Sequence, residues 1–300
     1  MQSLVDAAAT GSLYALVALA IGLVFGVMRL INFAQADYIT IGAYALIVPS
    51  ASTVPTLFIG AWPMPLMVAA VALVVVLVAL ATERLAFRPL RGTDPSTLLV
   101  SSFALSFLFQ QTIMLVFNSR PKSIEFGSAL AAAVEIAGLR VPGVQLLTMA
   151  TTIVAGTLLV FFLRYTALGV EIRAAAEDFT MAQLLGVRAN RVIAVSFAIS
   201  GLLGASVSLL LVVQTGTLDY RMGIMPVIYG FFATVVGGMG SLPAAALGGF
   251  LVGAASQLLQ AWLPPDLRPF RDAFVFGFVI AVLLFRPEGL ARPRAMRERV

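Results

Sequence analysis

The stretch RYTALGVEIRAAAEDFTMAQLLGVRANR, Arg164–Arg191, decides how the rest of the chain is read. It is 28 residues long, charged and helix-prone, yet the segments flanking it, 141–163 and 192–218, carry no charge at all. A bilayer core takes about 20 apolar residues to cross as a helix, so both flanks are long enough to span. A polar helical stretch between two spans must meet water, the membrane surface or a partner.

Outward from it the pattern repeats. Residues 7–28, 38–82, 95–119, 222–265 and 273–285 are also free of charge. Two of these gaps, of 45 and 44 residues, are long enough for two crossings each. Pro49, Pro55 and Pro63 punctuate the first, and Gly237, Gly238, Gly240 and Pro243 the second. The spacing predicts spans near 8–28, 38–58, 64–82, 96–117, 145–163, 191–213, 223–237, 241–262 and 272–286. That is an all-α polytopic bundle of about nine spans (eight to ten). Segment 223–237 is short and either spans or re-enters.

Composition agrees. Apolar residues make up 60% of the chain and charged residues 11%, against about 25% charged in soluble domains. Mean hydropathy is +1.01. There is no cysteine and no histidine, which excludes disulfides, thiolate chemistry and histidine-based acid–base or metal sites. The first apolar segment lacks a basic leader and a small-residue cleavage site, so it reads as a retained span.

Nine crossings put Arg29, the loops 83–94 and 164–191, and the tail 286–300 on one side. That side holds 13 of the 19 Lys and Arg, which predicts a cytoplasmic face with the C-terminus inside and the N-terminus outside. Segment 118–144 is then an external loop. No non-spanning stretch accommodates a second soluble domain, so residues 1–300 read as a single transmembrane domain with 164–191 as its largest cytoplasmic loop.

Three motifs carry candidate chemistry. On a helical wheel of the 164–191 loop, Ile172, Ala175, Ala176, Phe179 and Ala182 share one arc, with Arg173, Glu177 and Thr180 opposite. Arg173 and Glu177 are four apart, and Gly186 is a C-cap candidate. The stretch is either a membrane-surface helix or a docking helix for a cytoplasmic partner. In RLINFAQADYITIGAY (29–44), Asn32, Gln35 and Asp37 fall between two spans. They belong either to a polar interfacial turn, with Asn32 or Asp37 as cap, or to a broken helix whose polar groups are functional. In TVVGGMGSLPAAALGG (234–249), Gly237, Gly238, Gly240, Gly248 and Gly249 either let helices pack closely or form a tight connection. No lysine follows them, so no phosphate loop is implied.

Five ordered segments resemble one family. GSLYALVALAIGLVFGVMRLINFAQADYITIGAY (11–44), ERLAFRPLRG (83–92), RAAAEDFTMAQLLGVRANRVIAVSFAISGLLGA (173–205), ATVVGGMGSLPAAALGGFLVGAASQLL (233–259) and FRPEGL (285–290) are similar to the branched-chain amino-acid ABC transporter permeases of the LivH type. The resemblance covers nearly the whole chain. It implies the ABC importer permease fold, a second related permease subunit, two cytoplasmic ATP-binding subunits and a periplasmic solute-binding protein. It implies no cofactor on this chain, with ATP on the partner subunits, and a bacterial inner-membrane location. It assigns Arg173, Ala174, Ala175, Ala176, Glu177, Asp178 and Gly186 to coupling with the ATPase. It places Asn32 and Phe33 near the path, where Gln35, Asp37 and Thr40 are further candidate contacts. The chain departs from the pattern twice. Gln35-Ala36-Asp37 stands where the family commonly has His-Gly, and Pro243 is followed by Ala244 instead of Gly. Related systems carry urea, short amides and other small solutes.

Two other classes compete. An ion-coupled secondary carrier predicts carboxylates in mid-span, and the charge spacing shows none there. An intramembrane enzyme predicts a nucleophile and a base within the spans; with neither His nor Cys, only Ser and Asp remain, and no paired Asp spacing occurs.

Overall fold

A computed structural model describes residues 2–124, 133–136, 139–238, 240–286 and 289. Among them are eleven α-helices: α1 Gln2–Met28, α2 Gln35–Tyr44, α3 Met64–Thr82, α4 Pro95–Phe117, α5 Gly143–Tyr165, α6 Ala167–Glu177, α7 Phe179–Leu184, α8 Ala189–Thr215, α9 Ile224–Gly237, α10 Leu242–Trp262 and α11 Arg271–Phe285. Two short antiparallel ribbons complete it, β1 (Lys122–Ser123) with β4 (Thr217–Leu218), and β2 (Ala133–Ile136) with β3 (Leu139–Pro142). The architecture is the polytopic helical bundle that the charge-free segments predict. The basic tail beyond 290 and the centre of the 118–144 loop lie outside the described residues.

Among the described residues, six helices are long and apolar enough to cross a membrane: α1, α4, α5, α8, α10 and α3, the last extended by a π turn over Glu83–Phe87. The other three predicted crossings are short, α2 with 10 residues, α9 with 14 and α11 with 15. The span expected over 38–58 needs correcting. Its helix ends at Tyr44, and the chain then turns so that Ile47 bridges Leu57. At 1.5 Å per residue, α2 covers roughly 15 Å, about half a hydrocarbon core. Pro49 and Pro55, which donate no backbone hydrogen bond, close off helical continuation, and Ser50–Val54 form a mostly exposed turn.

α1 is the centre of the bundle. Leu16, Val17 and Ala18 along it are fully buried, and it packs against α5, α8, α9 and α10. The α1–α10 contact is close because small residues line both sides. A Cβ placed on Gly249 would lie 2.6 Å from Ala15 Cα, and one on Gly253 would lie 2.7 Å from Gly11 Cα. Gly237 and Gly248 face each other between α9 and α10, where a Cβ on Gly248 would lie 2.7 Å from the Gly237 nitrogen. Gly238 caps α9 and touches Gly289. Gly240 does not pack: it adopts φ +112° with nothing within 4 Å, so its role is to turn the chain.

Hydrogen bonds identify the two ends of the bundle. At the basic end, Arg29 Nη2 donates to the Ala176 carbonyl (3.0 Å), and Arg91 binds buried Glu83 and reaches Asn190. The 83–94 loop, the start of α8 and α6 therefore meet there. At the opposite end, buried Lys122 donates to the carbonyls of Ser50 and Ser52, each at 2.7 Å, and Gln145 donates to Asp6 (2.8 Å).

Gly249→Ala and Gly277→Ala separate close packing from helix propensity. Gly277 has nothing within 4 Å, so its alanine variant should be neutral or gain up to ~1 kcal/mol. The Gly249 variant should lose about 1–3 kcal/mol through overpacking. Thermal unfolding in detergent reads both, and equal melting temperatures would refute the packing account.

Candidate functional site

The polar residues of 29–44 do not lie at a surface. The chain leaves α1 at Met28, and Arg29 takes a left-handed φ of +54°. Residues 30–34 then run non-helically into the bundle. Asn32 Oδ1 accepts from the Ala34 amide (3.1 Å), and the Gln35 amide donates to the Asn32 carbonyl (3.3 Å). Ser102 of α4 donates to the Ile31 carbonyl (3.3 Å). These bonds replace the helical ones that the interruption removes.

Gln35 sets the depth. Its Nε2 donates to the Ser200 carbonyl (3.2 Å), and the Ser200 hydroxyl lies 2.8 Å from both Gln35 Oε1 and the Ala20 carbonyl. Ala20 stands eight residues from the basic end of α1, and Ser200 eleven residues into α8. Gln35 therefore sits roughly 12–17 Å inside that end, near the middle of a membrane. α2 starts there and runs toward the opposite end.

A second interruption meets the first. After β4 the chain returns into the bundle, and α9 begins beside the first turns of α2. The Gly223 amide donates to Thr40 Oγ1 (3.3 Å), and Thr40 in turn donates to the Ala36 carbonyl (3.1 Å). A Cβ on Gly223 would collide with the Ala36 carbonyl, so only glycine fits this crossing. Both short helices thus begin inside the protein. Interrupted helices of this kind are tolerated only where protein or a cavity surrounds them, and transporters build binding sites from them.

Between α2, α4 and α9 lies a cleft of about 180 Å³, lined by Phe33, Ala36, Phe103, Ser106, Gln110, Ile224, Val227 and Ile228. Phe33 stacks on Phe103 at 4.1 Å. Gln110 donates to Ser106 (3.0 Å), and both face the Asp37 carboxyl. Asp37 is 1% exposed, and Ser106 and Gln110 are the side-chain donors beside its carboxyl, neither in close hydrogen-bond geometry. Asn32 Nδ2 and the Tyr38 hydroxyl are also buried, in no hydrogen bond of close geometry. The expectation that no carboxylate stands in mid-span is corrected here. Asp37 is the last charge before a long apolar run, but its helix starts in the bundle interior. Among the described residues, no three of His, Cys, Asp and Glu come together as a metal site.

The 164–191 segment forms a two-helix element at the basic end. A single helix over 172–186 is expected, and the structure breaks it at Asp178. That residue is extended (φ −144°, ψ 103°), and its carboxylate accepts from the Met181 amide (2.9 Å), capping α7. Thr166 caps α6 in the same way, accepting from the Gly169 amide (3.0 Å). Gly186 (φ +92°) ends α7: its amide donates to Gln183 and that of Val187 to Ala182, which is a Schellman cap. Ile172, Ala175 and Ala182 are buried, with Ala176 and Phe179 half-buried; Arg173, Ala174, Glu177 and Asp178 are exposed.

Of the candidate path residues, Asn32, Phe33, Gln35, Asp37 and Thr40 all gather at the two interruptions. Sequence reasoning missed Ser106, Gln110, Ser200 and Gly223. The signal in α4 was its polar density, Ser101, Ser102, Ser106, Gln110, Gln111 and Thr112 within one span. It also missed Met181 and Leu184 of α7 and Leu185 at its C-cap, exposed by 58%, 78% and 85%.

Comparison with known proteins places these features in a family. The family model described as branched-chain amino acid transport system / permease component matches residues 3–284. The chain is 34% identical over 299 residues to the high-affinity branched-chain amino acid transport system permease protein BraD of Pseudomonas aeruginosa, covering 98% of this chain and 96% of that protein. It is 32% identical over 301 residues to the corresponding permease LivH of Salmonella typhimurium, with the same coverage of 98% and 96%. A probable branched-chain amino acid transport permease LivH of Methanocaldococcus jannaschii is 26% identical over 301 residues, covering 93% and 88%. A multi-pass bundle with two interrupted helices, matched along nearly its whole length, this chain belongs to the branched-chain amino acid transport permease family.

Proposed function

We propose that the chain is a permease subunit of an ATP-driven ABC importer for branched-chain amino acids or a related small solute. In this reading the basic end is cytoplasmic and the protein sits in a bacterial inner membrane with its C-terminus inside. It pairs with a second related permease, receives solute from a periplasmic binding protein and is driven by two ATP-binding subunits. ATP binds those subunits and no cofactor is needed on this chain, which acts as one transmembrane domain.

The observation that carries this reading is the α6–α7 element. Its inner face is held in the bundle through Ile172, Ala175 and Ala182, while Met181, Leu184 and Leu185 stand in the open. Large apolar side chains bared on the same two-helix element as exposed Arg173 and Glu177, at a basic end, suit docking of a cytoplasmic partner. A transmission route also starts there. Arg29 holds the Ala176 carbonyl, and the chain from Arg29 leads within a few residues to Gln35 and Asp37. Movement of α6 by the ATPase therefore pulls on the interruption that opens α2, and alternating access follows as a rocking of the surrounding helices.

An ion-coupled carrier working alone is the second reading, and buried Asp37 is the one observation in its favour. Reconstitution separates the two, because the importer takes up solute only with its ATPase subunits and ATP.

Two substitutions test the docking surface. Leu184→Asp together with Leu185→Asp should weaken retention of the ATP-binding subunits during purification by about 30-fold or more, the effect of losing an interface hot spot of ~2 kcal/mol. Glu177→Arg should leave the complex assembled and reduce uptake per ATP hydrolysed. Normal retention in the first and normal uptake with normal ATPase stimulation in the second would remove this element from coupling.

A further inference from the structure

We infer that the stacked rings of Phe33 and Phe103 are a gate on the basic side of the cleft between α2, α4 and α9. This rests on the importer reading and adds the place where its path closes. Two cavities lie along α4, beside the non-helical strap of residues 29–34. The cleft of about 180 Å³ already described has Phe33 on the strap side and Phe103, Ser106 and Gln110 on α4. A second cavity, of about 270 Å³, lies toward the basic end, with residues 28–31 on one side and Ser96 and Leu99 of α4 on the other. Leu99, Phe103, Ser106 and Gln110 recur at helical spacing, so one face of α4 runs through both. The contacts that part the cavities are the ring stack, 4.1 Å between centroids, and the bond from Ser102 to the Ile31 carbonyl, 3.3 Å.

Of those two contacts the stack is the barrier. The Ser102 hydroxyl has a single proton to donate, and its shorter bond, 2.7 Å, goes to the Leu99 carbonyl of its own helix. Two apolar rings exclude water from a constriction, and such constrictions close a path without any charged group. Phe103 is 50% exposed in the single chain; in the importer the second permease subunit covers that open side. The gate is also placed to be worked. Phe33 stands four residues beyond Arg29, whose guanidinium holds the Ala176 carbonyl of α6. A shift of α6 therefore displaces Phe33 through the strap, while Phe103 stays on its 23-residue helix. Parting the rings joins the two cavities into one passage from the cleft to the basic end.

The chain has no cysteine, so single cysteines mark the two sides of the stack: Ser96→Cys in the cavity at the basic end and Ile224→Cys in the cleft. The complete transport complex, in inside-out vesicles that expose the basic end and without nucleotide, is treated with a charged, membrane-impermeant thiosulfonate. Ser96→Cys should react readily, and Ile224→Cys about tenfold more slowly or less, behind a closed apolar constriction. Adding Phe33→Ala should speed the reaction of Ile224→Cys about tenfold, the effect of losing one stacked ring pair, and leave Ser96→Cys unchanged. Phe103→Ala is read in its place where Phe33→Ala fails to assemble. Phe103→Trp keeps a stacking partner and should keep Ile224→Cys protected, which a general loosening of the bundle would not do. Equal rates at the two cysteines with both rings present, or no acceleration on removing either ring, overturns the gate, and ATP-driven uptake by the same complex then leaves the importer reading standing. Uptake that ignores ATP overturns the importer reading whatever the labelling shows.

Discussion

A backbone that leaves helical geometry inside a bilayer must find its hydrogen bonds in the protein, because the hydrocarbon offers none. This chain does so twice, at 29–34 and just before Ile224, and the bundle is arranged to permit it. α1 occupies the middle, so that Ala20 supplies a carbonyl to Ser200, and Ser200 supplies both a carbonyl and a hydroxyl to Gln35. Ser102 satisfies Ile31, and Thr40 satisfies Gly223. The glycines of α10 matter for the same reason. By letting α10 lie directly against α1, they keep α1 buried deeply enough to serve as the wall against which the broken segments are built.

The interruptions also connect distant functions. α6 is packed into the basic end by its apolar arc, and one guanidinium joins its C-terminal turn to the residue where α1 ends. The same few residues then descend to the polar centre. In the proposed reading, a docking event at the surface and a solute in the cleft would act on opposite ends of one short non-helical strap. Coupling of this type needs no long wire, only an element with two arrangements that both sites bias.

Much of this was legible in the residues. Charge-free runs locate the long helices because a charge in hydrocarbon is expensive, and the apolar arc of 172–182 identifies the buried side of the basic-end element. Three features were hidden. The crossing expected over 38–58 fails because the absence of charge cannot tell a helix from an uncharged turn between Pro49 and Pro55. The break at Asp178 is hidden because a helix and two capped helices share one periodicity there, and only the extended backbone shows that the carboxylate is a cap. The depth of Asp37 is set by Gln35 meeting Ser200, 165 residues away, a tertiary contact with no local signature. Ser106 and Gln110 belong to the same class, since polar residues in a span do not reveal which of them face a cleft.

In the proposed importer, water and solute reach the junction of the two interrupted helices. The chain contains no cysteine, so single cysteines report without background. Labelling of Ala36→Cys, Ile224→Cys and Leu16→Cys in the assembled complex by a charged, membrane-impermeant thiosulfonate is the direct measurement. The account predicts modification at 36 and 224, protection of both by excess transported solute, and no reaction at 16 in the core of α1. Reaction at 36 and 224 as slow as at 16, with and without ATP, would contradict it.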